Sequence, residues 1–271
     1  MRWVGNLRGE LSLRNLQRAA IDGSLHEVTT GEVPSVIFGR GNDGRHGNFH
    51  PVSYRNIQAN AEWARRLTKV HTSSRRAQPR AAWRWKELDC ANSSDALLMN
   101  IFCYRRTVAN AAMRAMLGIP SGLTPEFGFR PRIPLRRGGI DRTEIDMKLG
   151  DLLAEAKLTE TDFQTAPVRL IERYRDYEEV FEPTELIQSR DAVRGYQLIR
   201  GVLAAYATGC SFCVLCDARR PEMIEKWHSV MRAVKSYALR SRLHVLTWQE
   251  LAIALPRAMQ RFLGEKYGIV P

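Results

Sequence analysis

The stretch TEIDMKLGDLLAEAKLTE, Thr143 to Glu160, gathers acids and lysines at a spacing that can do chemistry. Gly150-Asp151 reads as a two-residue hairpin loop, because a glycine in first place suits the II′ turn whose twist matches the flanking strands. That turn sets Leu149 against Leu152, Met147 against Ala154 and Asp146 against Glu155. Strand alternation then sends Ile145, Met147, Ala154 and Ala156 to one face, and Glu144, Asp146, Lys148, Glu155 and Lys157 to the other. Directly opposed residues hold their Cβ atoms roughly 4.5–5.5 Å apart, and like charges so placed repel. A divalent cation bound between Asp146 and Glu155 would remove that penalty. The alternative is a solvated charged face, with Glu144 and Lys157 as a surface ion pair.

The elements around this hairpin follow a regular order. SSDALLMNIFCYRRTVANAAMRAMLG has a serine N-cap signal, apolar residues at helical spacing and Gly118 as a stop. EFGFRPRIPL is extended and punctuated by proline. The two hairpin strands come next, then a polar excursion around RYRDYEEVFEPTE. SRDAVRGYQLIRGVLAAYATG predicts a helix closed by Gly209, SFCVLCDAR an apolar strand, and PEMIEKWHSVMRAVKSYAL a helix with Pro221 in its first turn. LHVLTWQEL is a strand that runs into a last helix, QELAIALPRAMQRFLGEKYG. The order is thus helix, three strands, helix, strand, helix and a further strand.

An aspartate on the second strand and Glu-x-Lys on the third, within that order, resemble the core of the PD-(D/E)xK nucleases, the restriction-endonuclease-like superfamily. The resemblance covers about residues 91–250, and its motif residues are Asp146 and Glu155-Ala156-Lys157. It implies an α/β fold of mixed α+β character, with a mixed central sheet flanked by helices. It also implies metal-dependent hydrolysis of phosphodiester bonds, most readily by a DNA endonuclease of restriction-like or repair type. Asp146 and Glu155 would hold Mg²⁺ together with the Ala156 carbonyl, with Mn²⁺ able to substitute, since Mg²⁺ takes one or two carboxylates plus waters and phosphate. Lys157 would orient water or stabilise the phosphate. Glu144, Gln197 and Asp95 are accessory candidates. Ile145 stands where many members carry proline, and Gly201 stands where a Gln-x-x-x-Tyr branch carries tyrosine after Gln197. A nuclease fold that grips nucleic acid without cutting is the rival reading. Restriction-like enzymes are often dimers, so a homodimer is among the expected assemblies.

Composition fits such a partner. The chain of 271 residues carries 41 Lys and Arg against 29 Asp and Glu, a net charge of +12, and an excess of that size suggests an anionic ligand, most commonly nucleic acid. Double-stranded DNA is the expected partner. Two arginine groups are candidate phosphate contacts: Arg75, Arg76, Arg80 and Arg84, interleaved with Trp83 and Trp85, and Arg130, Arg132, Arg136 and Arg137 just ahead of the hairpin. The first group places a basic N-terminal extension over residues 1–90 and the nuclease-like core over 91–271. No stretch reaches the roughly 20 apolar residues of a membrane span and no signal peptide is evident, so a cytoplasmic protein without membrane contact is expected. Three of the five cysteines fall at Cys210, Cys213 and Cys216. On a strand the middle thiol points away from the other two, so they read as core residues rather than metal ligands. His46-x-x-x-His50, beside Asp43 and Asn48, lies in a glycine-rich loop without the strand–helix frame that a ββα-metal nuclease needs.

Overall fold

The computed structural model describes residues 2–30, 34–70, 86–186 and 191–271. Arg75, Arg76, Arg80 and Arg84, with Trp83 and Trp85, lie outside the described residues. The chain forms two compact units. One combines Met1–Pro125 with Trp248–Pro271, and the other is Glu126–Thr247. The first thus extends past residue 90 and includes the chain's last helices, because both terminal stretches are built into it.

In the first unit, α1 (Arg2–Asp22) ends at Gly23, whose φ of +60° closes the helix in a left-handed turn. α2 (Pro51–Ala59) follows the glycine-rich loop, and α3 (Ser94–Phe102) starts where Ser93 Oγ accepts from the Ala96 N–H at 3.1 Å. Periodicity across residues 54–71 and 93–118 predicts single long helices; the second breaks after Phe102, ahead of a short helix Arg105–Ala109, and asparagines interrupt both. Asn60 has extended backbone and its Oδ1 accepts from Glu62 N and Trp63 N, which starts a new helix at Ala61–Arg66. Asn110 does the same for Ala111–Leu117. In both places an N-cap bond outweighs continuation of an apolar stripe. The helix Arg257–Tyr267 packs on α1, and Asn15 Nδ2 reaches the Lys266 carbonyl at 3.1 Å.

The second unit is a five-stranded mixed sheet flanked by helices. Its strands are β1 (Glu126–Phe129), β2 (Ile145–Leu149), β3 (Leu152–Ala156), β4 (Ser211–Cys216) and β5 (Leu243–Thr247). The order across the sheet is β5-β4-β3-β2-β1, parallel from β5 to β3 and antiparallel from β3 to β1. The parallel steps need crossovers, supplied by α4 (Tyr196–Thr208) and α5 (Pro221–Arg232). One core cluster joins Leu153, Phe212, Val214 and Cys216 of the sheet to Leu198 and Val202 of α4 and to Trp227 and Val230 of α5.

The polar excursion contributes more to this core than its charge suggests. Tyr174, Tyr177 and Phe181 are buried in it, between short helices and a strand pair formed by Thr165–Pro167 and Ala192–Arg194. All five cysteines are free and buried. Cys216 sits in the cluster beside Phe212 and Val214, as strand alternation predicts for core thiols. Among the described residues no helix is long and apolar enough to cross a membrane.

Candidate active site

The hairpin forms in the register its sequence predicts. Leu149 pairs with Leu152 and Met147 with Ala154. Gly150 has φ +60° while Asp151 keeps an ordinary negative φ, the signature of a II′ turn. The ladder ends at Met147 and Ala154; continued by one residue, its register would bring Asp146 opposite Glu155. Asp146 Oδ2 accepts from the Ala156 N–H at 2.8 Å, so its carboxylate reaches across to the backbone beside Glu155.

The charged face is not a solvated strip. Glu155 is 2% exposed and Lys157 6%, and Lys157 Nζ meets Glu155 Oε1 at 2.7 Å. Burial of an ammonium would lower its pKa. Here the carboxylates of Glu155, Glu160 and Asp146 outweigh burial, and Lys157 is held charged well above the ordinary lysine value. Three acids therefore converge electrostatically on one lysine. A buried pair of this kind is costly to desolvate unless its geometry is good and further partners share the charge, and both conditions are met. Lys157 also extends the sheet: its N–H donates to the Leu215 carbonyl at 2.8 Å, which locks the residue at the carboxyl ends of β3 and β4.

Glu160, which motif spacing leaves out, bends back toward this point. Its Oε2 accepts from the Leu158 N–H at 2.6 Å. Arg220, 1% exposed, donates to the Glu160 carbonyl at 2.8 Å from Nη2 and engages the Glu222 carboxylate through Nε. Asp217, just past β4, is fully buried and chelated by the Arg219 guanidinium, with Nη2 at 2.7 Å from Oδ2. On the other side, Arg200 of α4 is buried and donates to the Glu144 carbonyl at 3.0 Å. This pins the chain two residues ahead of Asp146. A basic residue just past the carboxyl end of β4 was the signal that could have found Arg220; Arg200, inside α4, carries no such signal.

The accessory candidates are placed differently from one another. Glu144 enters through its main chain, as above. Gln197 opens α4 and its N–H donates to the Phe163 carbonyl at 3.0 Å; the Phe163 ring lies 5.8 Å from Lys157 Nζ. Asp95 belongs to the other unit, where Arg66 Nη2 at 2.7 Å and Lys69 Nζ at 3.0 Å take up its carboxylate. Arg130, Arg132, Arg136 and Arg137 are all exposed, though Arg136 is also held by Glu178 at 2.8 Å. His46 and His50 are structural. His46 Nε2 lies 3.2 Å from Asp89, and His50 Nδ1 caps α2 by accepting from Val52 N at 3.2 Å.

Among the described residues there is no group of three or more His, Cys, Asp or Glu arranged to hold a metal ion. Two carboxylates on neighbouring strands, Asp146 and Glu155, with the Ala156 main-chain carbonyl between the glutamate and the lysine, would be the donors for such an ion. These are hard oxygens in a number that suits a Mg²⁺ retaining several waters.

No curated protein and no solved structure matches the chain. A family model described as "Restriction Endonuclease associating with ARP" matches residues 19–268. That match takes in both units and the whole hairpin, and the mixed sheet is compatible with a restriction-endonuclease-like fold. On this ground the chain belongs to the family of restriction endonucleases associating with ARP.

Proposed function

We propose that this protein is a metal-dependent nuclease of the PD-(D/E)xK type that hydrolyses phosphodiester bonds in double-stranded DNA as an endonuclease. The observation that carries the reading is the buried Glu155–Lys157 pair on a hairpin whose Asp146 carboxylate accepts from the Ala156 N–H, in a chain of a restriction-endonuclease family. Asp146, Glu155 and the Ala156 carbonyl would hold Mg²⁺ or Mn²⁺, which supplies a Lewis acid for the phosphate and a more acidic bound water. Lys157 presents a fixed ammonium to the phosphate oxygens. Its position costs no reorganisation during reaction, because both its main chain and its side chain are already tied down. Arg200 and Arg220 act at a distance, by holding the segments on either side of the carboxylates.

The test is incubation with linear and circular duplex DNA, single-stranded DNA and RNA, in Mg²⁺, Mn²⁺ or EDTA. Cleavage of circular duplex in metal but not in EDTA, lost in Asp146→Ala, is the expected result. Binding that weakens steeply with salt, without cleavage under any condition, would favour a gripping module over an enzyme.

A further inference from the structure

The loop that leaves β3 after Lys157 contains one residue with an unusual backbone. Gln164 has φ +65°, and among the described residues it is the single non-glycine residue with positive φ. L residues rarely take this region, and those that do are mostly asparagine, aspartate or histidine. Strain of this kind persists where the residue has a use. We infer that Gln164 reads a base, an adenine, beside the phosphate that the protein cuts. The inference rests on the nuclease reading above and adds a sequence preference to it.

Inside the folded chain, glutamine does nothing at this position that glycine would not do. The Gln164 N–H donates to Asp162 Oδ1 at 2.7 Å, and its carbonyl accepts from Gly195 N at 2.9 Å and Tyr196 N at 3.0 Å. All three bonds use the main chain of Gln164, which glycine supplies without a Cβ penalty. The side chain is exposed, and its amide makes no hydrogen bond among the described residues. A partner outside the chain accounts for both the costly backbone and the idle amide.

The same bonds fix where the amide stands. They tie the loop to the first turn of α4. Phe163, the residue before, is buried; its carbonyl accepts from Gln197 N at 3.0 Å and its ring lies 5.8 Å from Lys157 Nζ. Nearer β3, Arg220 holds the carbonyls of Leu158 at 3.5 Å and Glu160 at 2.8 Å. Gln164 therefore follows directly on the residue whose ring meets the ammonium, in a loop anchored along its length. A group that discriminates between bases needs such a fixed support.

The neighbours suit a nucleic-acid groove. Arg194 is exposed and pairs with Thr165, one residue beyond Gln164, across the short strand pair, where it offers a cation to a flanking phosphate. The nearest acid in the loop is Asp162, and its Oδ1 is engaged by the Gln164 N–H. A glutamine amide donates and accepts at once, which matches N7 and N6 of adenine in the major groove.

The experiment uses the full chain and duplex DNA with a randomised segment. One arm cleaves in Mg²⁺ and sequences the ends; the other binds in Ca²⁺ and sequences the bound molecules. The variants are Gln164→Gly and Gln164→Arg, each also melted thermally. The expected result is adenine enriched about fivefold to a hundredfold at one position, the range for a single bidentate base contact. Gln164→Gly should lose that preference yet melt at or above wild type, because relief of strain offsets the freedom glycine gains in the unfolded chain. Gln164→Arg should turn the preference to guanine, whose O6 and N7 suit a guanidinium. Adenine enrichment among bound molecules without any cleavage would keep the base contact and remove the nuclease reading. Cleavage without base preference would keep the nuclease reading and overturn the inference. The inference also falls if the preference survives in Gln164→Gly, if glycine lowers the melting temperature, or if no duplex is bound.

Discussion

Lys157 holds two jobs that can be separated. Its ammonium neutralises a buried Glu155, and it stands ready for the phosphate. Lys157→Ala removes both. An unpaired buried carboxylate costs about 3–5 kcal/mol, so the variant should melt early in EDTA and recover stability with Ca²⁺ or Mg²⁺. The rate should not recover, since one preorganised electrostatic group is worth about 10²–10³. Thermal melts with and without metal, beside single-turnover cleavage, check both halves; full activity in the variant would remove the catalytic role. Asp95 gives the pH counterpart. Burial pushes its pKa up, but Lys69 and Arg66 more than offset this and hold it below the ordinary carboxylate value. A carboxylate depressed on folding stabilises the native state above its unfolded pKa, and that contribution fades as pH falls through the folded pKa. Asp95→Asn should therefore cost roughly 3 kcal/mol near neutrality, with the gap to wild type closing in acid. Urea melts at several pH values would reveal it, and a gap independent of pH would contradict it. The hairpin register, Leu149 with Leu152 and Met147 with Ala154, was legible in the sequence because strand alternation has a period of two and a Gly-Asp turn fixes the register. Glu160 was not, because its approach to Lys157 depends on how the chain turns after β3, which no strand periodicity encodes.

At the scale of elements, α4 and β4 approach closely at Gly201. A Cβ added at Gly201 would fall 2.2 Å from the Phe212 ring, itself buried in the core cluster. This gives the missing Gln-x-x-x-Tyr tyrosine a steric reason: no side chain fits at that point of the helix. Gly201→Ala should destabilise by about 1–3 kcal/mol through overpacking, against the small gain expected from helix propensity. Chemical denaturation measures the sign directly, and a stabilised variant would mean that Phe212 can move aside. The element order was readable because each core strand and crossover helix carries a strong period. The breaks at Asn60 and Asn110 were readable in principle, since asparagine is a favoured N-cap. They were hidden by apolar spacing that runs on across them. The core role of Tyr174, Tyr177 and Phe181 was hidden by the arginines and glutamates between them, which face outward from the same short helices.

For the molecule as a whole, the charge of +12 predicts affinity for nucleic acid that falls linearly in log–log terms with salt, each neutralised phosphate adding about 0.9 to the slope on duplex DNA. Neutralising Arg130, Arg132 and Arg137 to glutamine should shallow that slope without lowering the melting temperature, as all three are exposed; binding isotherms at several salt concentrations decide it. An unchanged slope would make this group a solvated surface. Arg136 is left out because its pairing with Glu178 mixes a structural effect into the measurement.

The link between Asn15 and Lys266 has a consequence for how the protein is made. Lys266 Nζ meets Asn15 Oδ1 at 2.6 Å, and Asn15 Nδ2 returns a bond to the Lys266 carbonyl, so residues 251 positions apart in the chain complete each other. During synthesis, Asn15 leaves the ribosome long before its partner exists. Glu126–Thr247 is contiguous and has all of its own contacts available once Thr247 emerges, whereas the first unit waits for the final helix to arrive. Translation order therefore runs opposite to sequence order for completion: the middle of the chain can finish before its beginning, and a message cut short of Arg257–Tyr267 yields a first unit that stays open however long it is given to fold.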